Sequence, residues 1–169
     1  MSRMRRSDWL DLGLRMLTEG GVESLTVDAL CRMAQRTRGS FYHHFQDHEG
    51  FLVALAETWR DRQTDAVIAE VDAGRQGARG DLLHRAAGAI DHRLDVAMRR
   101  AAGRDAVFAA MVAAVDARRI GYIAKTLQSE RALDAAEAAR LADLEYALFV
   151  GSQVLWPDRP PLSVLDGAD

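Results

Sequence analysis

The residues with the most chemistry to offer lie together in "RTRGSFYHHFQDH", Arg36 to His48. Arginine, serine, tyrosine and histidine side chains can all donate to phosphate oxygens, and side chains near the start of a helix can reach base edges in a duplex groove. If Phe41 and Phe45 face a core, then at about 100° per residue the opposite arc carries Arg36, Gly39, Ser40 and His43, with Tyr42 and His44 at its flanks. That arc is rich in donors and almost free of acid, and its glycine lets a backbone approach closely. A duplex groove requires such a surface, but an ordinary helical corner with a solvated face satisfies the same pattern.

Other chemistries find less support. The chain has no glycine-rich phosphate loop, no zinc-protease histidine pair on one helix and no Gly-x-Ser-x-Gly elbow. His84, Asp91, His92 and Asp95 could offer metal ligands from one helix. His84 and His92 are eight residues apart, however, so one ion would need partners from elsewhere, and a solvated face is the simpler reading. His44 and His48 straddle the helix break expected before Asp47. The single cysteine, Cys31, sits at apolar spacing and reads as a small buried side chain. No metal or cofactor is expected.

These groups must be held by helices. No segment alternates in the manner of a strand, and all three prolines, Pro157, Pro160 and Pro161, lie near the end of the chain. The fold is therefore expected to be all-α. A first helix is predicted over Ser7–Glu19, with Ser7 as N-cap and Gly20-Gly21 ending it. Thr26 caps a second, in which Val27, Leu30, Cys31 and Ala34 share a face. A third starts near Thr37 and ends by Phe45. Helix, short polar turn, helix is a helix-turn-helix arrangement. Asp47 caps a long fourth helix that reaches towards Val71, and "DAGRQGARG", Asp72 to Gly80, reads as a connection. Further helices are predicted over Asp81–Arg100, Arg104–Gln128 and Asp134–Leu155, the middle one possible to break near Asp116 or Gly121.

Residues 1–50 thus form a helix-turn-helix domain and residues 51–156 a second helical domain, with helix 47–72 connecting them and a proline-containing tail over 157–169. The net charge of −3 gives no global basic signal. From Met1 to Gln46, however, seven Arg stand against five Asp or Glu, a balance of +2 that leaves −5 for the rest. One cysteine excludes an internal disulfide framework, and no apolar run approaches the roughly 20 residues of a membrane span, which fits a soluble cytoplasmic protein.

The stretch from about Asp8 to Leu55 resembles the DNA-binding domain of the TetR family of bacterial transcriptional regulators. The resemblance runs through "LTEGGVESLTVDALCRMA", "TRGSFYHHF" and "DHEGFLVAL", and rests on the ordered set Gly21, Thr26, Leu30, Ala34, Gly39, Tyr42, His44, Phe45 and Glu49. It implies that the third helix enters the major groove. Thr26 would then touch phosphate, Thr37, Arg38, Gly39, Ser40 and His43 would face bases or adjoining backbone, and Tyr42 and His44 would contact phosphate. The chain departs from the family pattern in the turn, where Gln35 and Arg36 replace the usual Gly and Val, and at the start of the fourth helix, where His48 replaces the usual Lys. A left-handed Gln35 would cost roughly 1–2 kcal/mol. His48 gives a weaker phosphate contact than Lys, and Arg36 can compensate by reaching a phosphate.

A helix-turn-helix unit reads few base pairs, so a homodimer on a pseudo-palindromic DNA operator is expected. Leu141, Leu144, Ala147, Leu148, Gly151 and Leu155 recur at threes and fours on the last helix, as an interface or as internal core. Trp59, Met98, Phe108, Met111 and Tyr122 could surround a pocket, although bulky residues at helical spacing usually fill a core. The resemblance implies a small-molecule effector there that releases the dimer from DNA. The expected function is a ligand-relieved repressor rather than an enzyme. The rivals are a ligand-binding protein of the same fold that has lost DNA binding and a small helical metal-dependent enzyme built on His84 and His92.

Overall fold

A computed structural model of the protein describes residues 4–74 and 79–156. The proline-containing tail over 157–169 and the centre of the glycine-rich connection lie outside the described residues. Among those described, every regular element is a helix: α1 (Arg6–Gly20), a 3-10 turn (Val22–Ser24), α2 (Val27–Ala34), α3 (Arg38–Tyr42), α4 (His48–Arg60), a π turn (Asp61–Asp65), α5 (Ala66–Ala73), α6 (Arg79–Ala89), α7 (His92–Ala102), α8 (Ala106–Arg131) and α9 (Ala135–Leu155). None is long and apolar enough to cross a membrane. The chain forms two compact units, one of residues up to Arg60 together with Leu94–Val112, the other of Asp61–Arg93 together with Ala113 onwards.

In the first unit an aromatic cluster fixes the helices around α3. Phe41 is fully buried and meets Trp9 at 5.4 Å, Phe45 at 5.1 Å and Phe51 at 5.3 Å between ring centroids. These edge-on and tilted pairs tie α1, α3 and α4 to one centre. Close approach of α1 and α4 requires Gly13, where a methyl group would come within 2.7 Å of Phe51 Cζ and 2.9 Å of Leu55 Cδ1. Gly21 closes α1 at φ 72°, a left-handed angle, with its N–H donating to Leu17 O at 3.0 Å. Trp59 is buried and donates its indole N–H to the buried Asp95 carboxylate at 2.7 Å.

The second unit has its own core, in which Ile123, Leu127, Ala138, Ala142 and Tyr146 pack with Leu141, Phe149 and Val150. Its π turn is pinned from α8. Arg119 donates to Thr64 Oγ1 at 2.9 Å and to Gln63 O at 3.0 Å, while Arg118 pairs with Asp65 at 2.5 Å.

Four sequence-based expectations are corrected. Ser7 lies inside α1 and does not cap it; the Asp8 carboxylate instead accepts the Arg5 N–H at 2.7 Å. The fourth helix does not run unbroken to Val71, because the π turn interrupts it. The helix predicted over Asp81–Arg100 is broken between Ala89 and His92, where the Asp91 N–H leaves the helical pattern for Gln63 Oε1 at 3.1 Å. α8 does not break near Asp116 or Gly121: Asp116 accepts the Tyr146 hydroxyl at 2.7 Å, and a methyl at Gly121 would meet nothing within 4 Å.

Candidate nucleic-acid interface

Each helix of the α2–α3 pair starts on a threonine cap. Thr26 Oγ1 accepts from Ala29 N at 3.2 Å, and Thr37 Oγ1 accepts from Ser40 N at 3.3 Å. Both side chains are exposed. Each oxygen satisfies a helix-start N–H, and the hydroxyl hydrogen remains to donate outward.

The turn between them is a Schellman motif. Gln35 N donates to Arg32 O at 3.1 Å and Arg36 N to Cys31 O at 2.9 Å. Gln35 occupies the left-handed position at φ 52°, ψ 48°, so the chain keeps the turn geometry that glycine would adopt without strain. Leu30 and Cys31 form the buried face of α2, and burial pushes the Cys31 thiol above its usual pKa, which keeps it protonated.

On α3, Phe41 turns inward while Arg38, Gly39 and Tyr42, and His43 at the C-cap, are exposed and Ser40 is half-buried. A methyl group at Gly39 would find only Thr37 Oγ1, at 3.8 Å. Neither backbone angle nor internal packing therefore calls for glycine here. Tyr42 rests edge-on against Phe41 at 5.4 Å, with about half its surface exposed.

His44 and His48 serve first as struts. His44 Nε2 lies 3.0 Å from Met4 O, and His48 Nε2 lies 2.7 Å from Leu25 O. A carbonyl only accepts, so each ring donates from Nε2. Its Nδ1 is left as an acceptor and becomes a donor for phosphate only in the imidazolium form. Arg36 is half-buried and turns Nη1 back to Gln35 O at 3.0 Å.

Arg38 is engaged across the motif. Its Nε and Nη2 donate to the two carboxylate oxygens of Asp28, in the first turn of α2, both at 2.6 Å. Hydrogen bonding from Arg38 holds the Asp28 carboxyl below the usual carboxylate range. Asp28 was not among the residues singled out in the sequence. The signal that could have found it is an acid in the first turn of one helix, ten positions before an arginine in the first turn of the next.

Residues 10–55 match the family described as "Bacterial regulatory proteins, tetR family". Over those residues the chain carries a tetR-family N-terminal domain. The chain is 39% identical over 68 residues to the HTH-type transcriptional repressor AcnR of Corynebacterium diphtheriae, covering 40% of this chain and 33% of AcnR. It is 43% identical over 47 residues to the transcriptional regulator AcuR of Cereibacter sphaeroides, covering 28% and 22%. The match thus spans a third or less of either relative. In fold it is similar to the reduced form of NemR from E. coli, with a TM-score of 0.73 at 20% identity over 88% of this chain and 85% of that one.

Beyond the matched segment, the second unit holds a cavity of about 310 Å³ along the π turn, α5 and α6. Its walls include Val67, Val71, Leu82 and Ile90, with Arg62, Glu70 and Arg85 adding charge. None of the bulky residues singled out in the sequence lines it. Trp59, Met98 and Phe108 are fully buried in the first unit and Met111 is half-buried there, whereas Tyr122, in the second, donates its hydroxyl to Asp72 at 2.8 Å.

On α9, Leu144, Ala147 and Leu155 are exposed, Leu148 and Gly151 are half-buried, and Leu141 packs against the core. The two histidines weighed as metal ligands fall on separate helices, α6 and α7, and the side chain of His84 lies outside what is described. His92 Nδ1 meets the Gln153 amide at 2.8 Å, and Asp95 holds Trp59. Among the described residues no three His, Cys, Asp or Glu side chains gather as a metal site.

Proposed function

We propose that this chain is a DNA-binding transcriptional regulator, a homodimeric repressor that a small-molecule effector releases from a pseudo-palindromic operator. The observation that carries the reading is the contrast within α3: a fully buried Phe41 beneath a face of exposed donors, with Gly39 held open although nothing inside the chain needs it. An incoming phosphate or base edge accounts for both features. Thr26, Thr37, Tyr42 and Arg36 make backbone contacts, Ser40 and His43 face the groove, and His44 and His48 add phosphate contacts when protonated.

The dimer forms through α8 and α9. Leu144 and Leu155 are 63% and 66% exposed, a large apolar surface for one helix to leave in water. A methyl at Gly121 or at Gly151 would meet nothing within 4 Å, which leaves space for a second copy to come close. The effector occupies the cavity along α5 and α6, whose apolar walls and few charged groups suit a small amphipathic molecule.

The test is selection of bound fragments from genomic DNA, followed by gel shifts of the recovered sites over a salt titration. A sequence-specific shift that weakens steeply with salt is expected. Failure to enrich any sequence would leave a helical ligand-binding protein of the same fold, and the strained Gln35 and the engaged His48 would then be marks of a lost DNA function.

A further inference from the structure

The Asp28–Arg38 pair is oddly placed for a structural strut. Its side chains are 65% and 64% exposed, and an ion pair in that setting adds little to folding. It stands instead at the opening of α3, on the face assigned above to DNA.

Its geometry says what it leaves available. A guanidinium has five N–H donors in a planar fork. Asp28 takes the side edge, Nε to Oδ1 and Nη2 to Oδ2. Of the three remaining N–H groups, one on Nη1 and one on Nη2 point in parallel along the end edge. In the major groove only guanine offers two adjacent acceptors, O6 and N7, to match such a fork. Adenine places a donor beside its N7, cytosine offers a donor, and thymine pairs one acceptor with a methyl group.

We propose that Arg38 reads a guanine in each half-site and that Asp28 is the positioning residue that holds its guanidinium for that contact. This rests on the DNA-binding reading and narrows it. Because the carboxylate neutralises the arginine locally, the pair adds almost nothing to non-specific attraction for phosphate. Base preference and salt dependence therefore separate, and removing Asp28 moves them in opposite directions.

The test uses the full-length chain with a randomised duplex library, then gel shifts of the selected site and of single-base variants across a range of salt. The wild-type protein is expected to select a fixed guanine in each half-site. Arg38→Ala should lose roughly tenfold or more of the preference at that base pair alone, with the salt slope nearly unchanged. Arg38→Lys, which keeps the charge and loses the fork, should lose the same preference. Asp28→Ala frees the cation, so it should bind unrelated DNA more tightly, with a steeper salt dependence and a weaker guanine preference.

Helical content by circular dichroism identifies any variant that fails to fold, and the lysine variant then decides. If Arg38→Ala and Arg38→Lys select the wild-type sequence, the guanine contact is wrong while the regulator reading stands. If Asp28→Ala keeps both preference and slope, the positioning role is wrong. If the wild-type chain selects no sequence, the regulator reading fails and this inference with it.

Discussion

Two exposed helix faces in this chain have opposite chemistry. α3 is a five-residue helix that presents an arginine, a glycine and a tyrosine to solvent, with a histidine at its C-cap, over a single buried phenylalanine. α9 runs for 21 residues and leaves Leu144, Val154 and Leu155 exposed above a core of alanines and Tyr146. A surface of donors and small side chains suits a polyanion whose contacts are hydrogen bonds and charge, whereas exposed leucines suit an apolar partner that excludes water. The short helix can be polar because its anchoring is supplied from below by Trp9, Phe41, Phe45 and Phe51. The long helix makes its own core and has an apolar face to spare.

Breaking the support of the first face should have the largest effect. Phe41→Ala removes the centre of the aromatic cluster and should destabilise the chain by about 3–5 kcal/mol in chemical denaturation. Charging the second face comes next. Leu144→Glu together with Leu155→Glu should convert a dimer to monomer in analytical ultracentrifugation. It should lower operator affinity by about a hundredfold or more, because the two half-sites are then no longer engaged jointly. An intact dimer in that variant would place the interface elsewhere.

Gly39→Ala sharpens the contrast by separating stability from binding. Since the site has room for a methyl group and lies in a helix, folding stability should rise by up to about 1 kcal/mol while operator affinity falls roughly tenfold. Unchanged affinity would remove the case for close approach at this position. Gln35→Gly should give the smallest change, a gain of about 1 kcal/mol in stability from relief of the left-handed strain, with little effect on DNA binding.

Local signals in the sequence reached far into the first unit. Thr26 followed by Val27, Leu30 and Cys31 marks the start and inner face of α2, and both features stand in the structure. Spacing puts Phe41 and Phe45 on one face, and both are buried. What could not be read was set by contacts between distant residues. At the break between α6 and α7 the Asp91 N–H is satisfied by a glutamine 28 positions away, and Asp116, inside α8, accepts from a tyrosine 30 positions away.

The same limit governs the site. Arg38 stands out as a donor in the sequence, but its commitment to Asp28 depends on how the turn at Gln35 brings two helix starts together. The cavity along α5 and α6 is likewise formed by segments on either side of the glycine-rich connection. Side chains of modest size line it, and spacing distinguishes them from any solvated helix face no better than it distinguishes Trp59 or Met98 from plain core.

The most direct test of α3 as a DNA-reading surface is equilibrium binding, by fluorescence anisotropy, to a selected duplex and to its scrambled counterpart at one physiological salt concentration. A preference of about a thousandfold or more for the selected duplex is predicted, to be reduced by Gly39→Ala with no loss of stability. Equal binding of the two duplexes would contradict sequence-specific recognition by this helix.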